Sequence, residues 1–321
     1  MTNKQRYKIF CDEHSEIPLF MQVWWLDAVT VPDGKDWDVL LSEENGKIEG
    51  AMPYHVLKKW RFKIIVQPQQ TQYNGVWIDY PKNMKLHKRY SFEKRVMNNL
   101  IDQLEALNVD FYSQNFHHSF MNWQPFYWRG FQQTTRYTYQ INELNDLEKT
   151  LNSFDYSKRT RIRNEEQFFV DFSLAPEDFY NFHKRTLQQK NSKIEYSKEL
   201  FISIYNAAKN RNQGQIITLR GEDEKLQSAI FLVWDKNSAY NLITSIDFLY
   251  KSGRSSTKMF WEAIKFASNR TKSFDFEGSM IKGVAQSFQQ FGAEQVPYFN
   301  ISKCTSTLLS VLINVKNTFI K

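Results

Sequence analysis

The sequence predicts a mixed α/β protein of two tandem units, each a central mixed sheet flanked by helices, and three observations carry that reading. A chain of 321 residues, 41% of them hydrophobic, provides for two domains of about 150 residues that each bury a core. Aromatic residues make up 16% of it, too many for a disordered chain and suited to packed sheets with aromatic-lined clefts. The order helix, hairpin, further strands, helix and strand also occurs twice. The halves share no defensible identity, so order alone argues the duplication. The junction is expected near Asn142 to Asn152, giving domains over residues 1–150 and 151–321.

In the first unit, Pro18 to Thr30 places Leu19, Phe20, Val23, Trp24 and Asp27 at helical spacing, which predicts one helix with an aromatic inner face. Trp37 to Ser42 and Ile48 to Leu57 read as strands around Glu43-Glu44-Asn45-Gly46, whose Asn-Gly pair signals a hairpin. Phe62 to Val66 and Val76-Trp77-Ile78 continue the sheet. Tyr90 to Leu107 is apolar at helical intervals, and Val109 to Ser113 reads as another strand.

A strongly charged helix, Tyr156 to Gln167, is expected to join the halves. Pro176 to Gln188 and Ser197 to Lys209 then read as helices, and Gln215 to Arg220 and Gln227 to Trp234 as strands around a turn at Gly221. Ala239 to Ile246 is a third strand. The helix expected over Ser255 to Ala267 has Met259, Phe260, Ala263, Ile264 and Ala267 on one face and a serine cap, and the strand Ser273 to Phe276 follows.

The formal charge of +7 favours an anionic partner. Part of it is clustered, in Lys82, Lys85, Lys88, Arg89, Lys94 and Arg95 and in Lys158, Arg159, Arg161 and Arg163, and each run reads either as a solvated helix face or as an anion-facing one. Cys11 and Cys304, at opposite ends of the chain, give neither a disulfide framework nor a zinc spacing, which fits a reducing compartment and a cytoplasmic location. Residues 1–6 lack an apolar signal core and no stretch reaches about 18 apolar residues, so neither secretion nor a membrane span is expected. The tail from Thr307 to Lys316 reads as a docked terminal helix or as an amphipathic helix touching a membrane. His117-His118 lacks a third ligand, so no metal is expected. Neither a Gly-x-Ser-x-Gly elbow nor a Gly-x-x-x-x-Gly-Lys loop occurs, and DNA is not an expected partner.

The segment Tyr250-Lys-Ser-Gly-Arg-Ser-Ser-Thr257 lies between a strand and a helix, where unpaired amides and the positive end of the helix dipole suit a phosphate. Gly253, Ser255, Ser256 and Thr257 would offer the small residues and amides, and Lys251 and Arg254 the counter-charge. The same run also reads as a plain capped turn. The corresponding stretch of the first half, Asp79-Tyr-Pro-Lys-Asn-Met, lacks glycine, so a donor site belongs to the second half.

Phe274-Asp-Phe-Glu-Gly-Ser279, followed by Gly283-Val-Ala-Gln-Ser-Phe-Gln-Gln-Phe-Gly292 and Val296-Pro-Tyr298, resembles the signature of the FemAB-like and related GNAT-superfamily proteins. Phe20-Met-Gln-Val-Trp-Trp-Leu-Asp27, Pro68-Gln-Gln-Thr-Gln-Tyr-Asn-Gly-Val-Trp77 and Tyr156-Ser-Lys-Arg-Thr-Arg-Ile-Arg163 resemble the same family, so the likeness spans residues 20–300. The resemblance implies a tandem GNAT fold that moves an acyl group onto an amine, with the donor held where two central strands splay. The donor is acyl-coenzyme A or, in the FemABX peptidyltransferases, an aminoacyl-tRNA. It further implies substrate contacts at Tyr73, Arg159, Arg161, Gly278 and Phe291. Two departures stand out. Ser255 and Tyr250 differ from the usual coenzyme A loop, and Gln289 and Gln290 occupy places where the peptidyltransferases carry a basic residue.

Amine attack on a carbonyl needs a proton acceptor and a polarised donor. Only one of Asp275 and Glu277 is expected to face the cleft, and Glu277, beside Gly278, is the choice as base or amine-orienting group; it also reads as a helix cap or an arginine partner. Tyr240 and Tyr298 read as acids for the leaving group or as buried sheet tyrosines. Three functions follow: a coenzyme A-dependent N-acyltransferase acting on an amino sugar or a cell-envelope precursor, a tRNA-dependent peptidyltransferase with Arg159, Arg161 and Arg163 on an RNA track, and a non-catalytic binding module.

Overall fold

The computed structural model describes residues 1–164, 168–250 and 253–312. The chain forms two compact units, the first made of Met1–Arg136 and the chain from Pro297, the second of Tyr137–Val296. The division thus falls ahead of the position read from the sequence, and the end of the chain returns to the first unit. Two strands that the sequence reading did not identify carry the chain across these boundaries, as described below.

In the first unit, α1 (Asn3–Glu13) opens with a Thr2/Gln5 capping box and buries Tyr7, Phe10 and Cys11, a spacing that places them on one face. The single helix expected from Pro18 is broken. Leu19–Met21 forms a 3₁₀ turn, Gln22 is extended at ψ 142°, and α2 (Val23–Thr30) starts afresh. The break rotates the helix, so Trp25, Leu26, Ala28 and Val29 face inward in place of Trp24 and Asp27. β1 (Trp37–Glu44) and β2 (Lys47–Lys59) pair antiparallel around Asn45 and Gly46, both at positive φ as the hairpin signal requires. Trp37, Val39 and Leu41 pack with α1, whereas Leu40 joins the opposite core, the alternation of a strand covered on both faces.

β3 (Phe62–Ile65) pairs antiparallel with β2, and β4 (Trp77–Ile78) pairs with β2 at Gly50 and Ala51. The long helix α3 (Leu86–Ala106) lays Phe92, Val96, Met97, Leu100, Ile101 and Leu104 on the sheet. β5 (Phe111–Asn115) runs parallel to β3, and α4 (Gln124–Trp128) follows it. β6 (Gln132–Ile141) then leads into the second unit.

That unit continues with α5 (Leu147–Ser153), α6 (Tyr156–Arg163), β7 (Phe169–Asp171), α7 (Pro176–Gln188), α8 (Lys198–Lys209), β8 (Gly214–Arg220), β9 (Leu226–Trp234), β10 (Ser238–Ile246), α9 (Arg254–Ser268), β11 (Ser273–Asp275) and α10 (Lys282–Gln289). The charged helix expected to reach Gln167 is described only as far as Arg163, because residues 165–167 lie outside the described residues. The sheet runs β6-β11-β10-β9-β8-β7, with β10 and β11 parallel and the other pairs antiparallel. Ile230 and Leu232 of β9 pack into the α9 core while Phe231 meets Phe179 of α7 and Phe201 of α8. Both faces are covered, which is why β9 reads as an unbroken apolar run.

β12 (Glu294–Cys304) returns the chain to the first unit, where residues 300–304 pair antiparallel with β5. Each unit therefore has a mixed sheet flanked by helices, as expected. Residues 307–312 are helical, and the remainder of the predicted tail helix lies outside the described residues.

Gly50 sets the fit of α3 on the first sheet. A Cβ there would stand 2.5 Å from Cγ1 of Val96 and 3.3 Å from the Trp77 carbonyl oxygen. Gly50→Ala is expected to cost about 1–3 kcal/mol by overpacking, measured by denaturant unfolding, and a variant of wild-type stability would show that α3 does not seat on this glycine.

Candidate functional site

The second sheet opens where β10 and β11 part. They pair in parallel only over Ser238–Tyr240 and Ser273–Asp275, after which β11 ends and β10 continues to Ile246. A register shift between Asn241 and Ile243 bends β10 at this point. The last tie across the fork is a hydrogen bond of 3.3 Å from Asn241 Nδ2 to the Phe276 carbonyl. The expected splay of two central strands is thus present, with Asp275, Glu277 and Tyr240 around its base.

Asp275 is completely buried. It accepts hydrogen bonds from Thr138 Oγ1 at 2.5 Å, from Gln140 Nε2 at 2.8 Å and from the Glu277 amide at 2.7 Å. Thr138 and Gln140 come from β6, in which Asp275 is paired with Gln140. Three donors compensate the desolvation of the carboxylate, so Asp275 is a structural anchor and touches no open surface.

Glu277 leaves the strand with φ 63°, a left-handed conformation uncommon for glutamate. The residue is partly exposed, but its carboxyl oxygen Oε1 is buried without a hydrogen-bond partner. Burial pushes the carboxyl well above its usual range, and Asp275 adds to the shift. β11 ends at Asp275, so strand alternation does not extend to Glu277; of the two carboxyl residues Asp275 is fully buried and Glu277 is partly exposed. Among the described residues Glu277 makes no ion pair, and α10 starts from Ile281 without a side-chain cap, which removes the two structural roles considered for it.

Tyr240 is buried, its hydroxyl 3.5 Å from Asp235 Oδ2. Burial, followed by the charges of Asp235, Asp275 and Glu277, raises its phenol well above the usual value. Tyr298 lies in the first unit, edge-on to Tyr73 at 5.1 Å. Tyr73 is itself fully buried among Phe20, His117 and Tyr298 and lines no open surface as it stands. Phe291 is likewise fully buried, packed with Phe154, Phe260 and Phe276. Gly278 is exposed beside Glu277.

At the predicted donor loop, Lys251 lies outside the described residues. The N-cap of α9 is Gly253 at φ 78°, and no side chain caps the helix. Ser255 was expected to cap it, but its hydroxyl is buried without a partner. Ser256 and Thr257 donate back to the Gly253 carbonyl at 3.2 and 2.6 Å, and Arg254 is exposed. Arg161, from α6, lies over this turn: a Cβ at Gly253 would stand 2.8 Å from its Nη1. Glycine therefore serves twice here, by its positive φ and by admitting a guanidinium onto the backbone. First-turn amides without intrahelical acceptors, a cation and a small residue make this a place suited to an anion.

The basic run on α6 is divided in use. Arg161 reaches the turn, but Arg159 donates to the Asn152 carbonyl at 2.7 Å, at the end of α5. Lys158 is buried, with Nζ 3.3 Å from Ser287 Oγ and 4.4 Å from the centre of the Phe291 ring. Burial, with the Arg161 charge second, lowers its pKa to about 8. Thr138 and Gln140 escaped sequence reasoning, and Lys158 was read only as one member of the basic run. The run Tyr137-Thr138-Tyr139-Gln140-Ile141 at the end of β6, rich in strand-forming residues, was a signal that could have found the first two, whereas nothing in the charged run distinguished Lys158 from its neighbours.

No protein-family profile matches this chain, nor does any curated protein sequence. Solved structures do share its fold. FemX matches with TM-score 0.70 at 12% identity, over 93% of this chain and 96% of FemX. L-PGS from Bacillus licheniformis matches with TM-score 0.54 at 10% identity, over 91% of each chain. A tandem GNAT protein from the clavulanic acid biosynthesis pathway matches with TM-score 0.51 at 6% identity, over 91% of this chain and 95% of that one.

Below the ordinary glutamate pKa of 4.5, the folded and unfolded chains both hold the Glu277 proton. As pH rises above that value the unfolded chain ionises while the folded chain retains the proton, so stability is lost with rising pH. Glu277→Gln mimics the protonated form. It is expected to match wild type in Tm near pH 4.5 and to exceed it increasingly toward neutrality; parallel Tm profiles would place the carboxyl in water.

Proposed function

We propose that this chain, which has the FemAB-like, GNAT-type fold, transfers an acyl or aminoacyl group onto an amine. The observation that carries this reading is Glu277, whose Oε1 is buried without a partner at the mouth of the β10/β11 fork, in the same unit as an anion-suited turn at Gly253. The acyl donor is acyl-coenzyme A, with its phosphates at the α9 amino terminus beside Arg161 and Arg254. The acceptor is a primary amine on an amino sugar or a cell-envelope precursor.

An amine reaches the site as an ammonium. Its positive charge lowers the Glu277 pKa, so the acid releases its proton on binding and the resulting carboxylate then accepts one from the ammonium. The neutral amine attacks the acyl carbonyl, the carbon–sulfur bond breaks, and the thiolate leaves as the thiol with the proton that the attacking nitrogen gives up. Asp275 acts through Glu277, since it accepts from the Glu277 amide and fixes the end of the strand. Tyr240 is assigned to the same site as a buried hydrogen-bond donor whose high pKa keeps it protonated.

The basic α6 favours a second donor, an aminoacyl-tRNA, whose binding would weaken steeply with salt. Thermal shift separates the two: stabilisation by acetyl- or longer acyl-coenzyme A supports the first donor, and salt-sensitive tRNA binding without it supports the second. Arg161→Ala is expected to weaken a coenzyme A donor about tenfold, the loss of one charge-assisted contact. Glu277→Gln is expected to lower turnover about 10²-fold or more with donor affinity unchanged. Full turnover by Glu277→Gln on an amine panel would remove the base, and binding without turnover by wild type would leave a non-catalytic module.

A further inference from the structure

The start of α3 in the first unit presents a surface that the chain itself does not satisfy. Leu86 and Tyr90, four residues apart and so on one face of the helix, are 62% and 55% exposed. With Met121 (71% exposed) they line a groove of about 590 Å³. Trp128, more than half exposed, extends the patch, and Lys94 Nζ lies 5.3 Å from the centre of its ring. Side chains of this size are not left exposed together on a surface that meets only water.

The charge around the patch has one sign. Lys82 and Lys85 lead into the helix, and Lys88 and Lys94 lie on it; all four are exposed, and none makes an ion pair among the described residues. Between residues 80 and 101 the single acidic side chain is Glu93, which is buried and bound by Tyr80, Arg89 and Asn122. The first turn of α3 contains no acid and its N-cap, Lys85, provides no side-chain cap. Lysines therefore crowd the positive end of a 21-residue helix whose leading amides lack a capping side chain, an arrangement unfavourable until an anion arrives.

We propose that this face of the first unit docks on a lipid bilayer with anionic headgroups. Leu86 and Met121 enter the acyl boundary, Tyr90 and Trp128 sit at headgroup depth where such rings partition, and the lysines meet lipid phosphates. Exposed aliphatic side chains favour a bilayer over RNA, which selects stacking rings and guanidinium groups. No helix among the described residues is long and apolar enough to cross a membrane, so the contact is peripheral.

The full chain is to be sedimented with phosphatidylcholine vesicles with and without phosphatidylglycerol, at low and moderate salt. Binding is expected only to the anionic vesicles and to weaken with salt. Each lysine near such a surface contributes about fivefold to partitioning, so changing Lys82, Lys85, Lys88 and Lys94 to Glu should abolish binding. Leu86→Ser with Met121→Ser should reduce it about tenfold or more, at unchanged circular dichroism and Tm because all these side chains are exposed. Absence of binding to anionic vesicles, equal binding to phosphatidylcholine alone, or undiminished binding by both variants would overturn the proposal. So would loss in these variants of tRNA binding or of self-association without any vesicle binding.

Discussion

The second unit depends on a carboxylate held away from water. Asp275 is stabilised by a hydroxyl and an amide from β6 and by the backbone amide of Glu277. Removing the donors would leave a buried charge uncompensated, a cost of several kcal/mol, so this one group enforces the β6-to-β11 register, ends β11 where it does and fixes the turn that follows. The fork between β10 and β11 exists because β11 stops at that anchor while β10 bends away through its register shift.

The anchor also explains why Glu277 is poised. The same Asp275 that binds its amide adds negative charge next to a desolvated carboxyl. The left-handed backbone, the buried Oε1 and the raised pKa all oppose stability at neutral pH, and among the described residues no partner meets the Oε1. Local rules broken together at the end of a strand are the pattern of a site that a ligand completes. An ammonium would relieve the electrostatic part of this conflict, and neutral or anionic ligands would not.

What the sequence made legible was governed by periodicity and turn chemistry. The Asn45-Gly46 hairpin, α7 from Pro176 to Gln188 and the apolar face of α9 were all readable, because each depends on local signals. The break at Gln22 was not, since it is a tertiary override within an apolar run: Gln22 donates to the Ile17 carbonyl, and Trp25 turns inward to reach Thr71. β12 was hidden by Pro297 within it and by its mixed composition, and β6 by polar residues that serve Asp275. Of the candidate site, the loop and the carboxylates were therefore named from the sequence, and the residues that hold them were not. Tyr73 and Phe291 show the opposite failure, since family likeness singled out side chains that the fold buries.

The charged helix α6 shows how one basic run is divided by helix geometry. Successive residues advance by about 100°, so four basic positions within six cannot share a face. Arg159 turns to the carbonyl at the end of α5, Lys158 turns inward onto Phe291, and Arg161 lies on Gly253. Lys158 and Arg161 oppose each other electrostatically, which is part of why the lysine pKa falls to about 8. An anion bound at the α9 turn would offset the Arg161 charge, raise the Lys158 pKa and stabilise both side chains in place. Anion binding at this turn and the packing of α6 on α9 would thereby be linked.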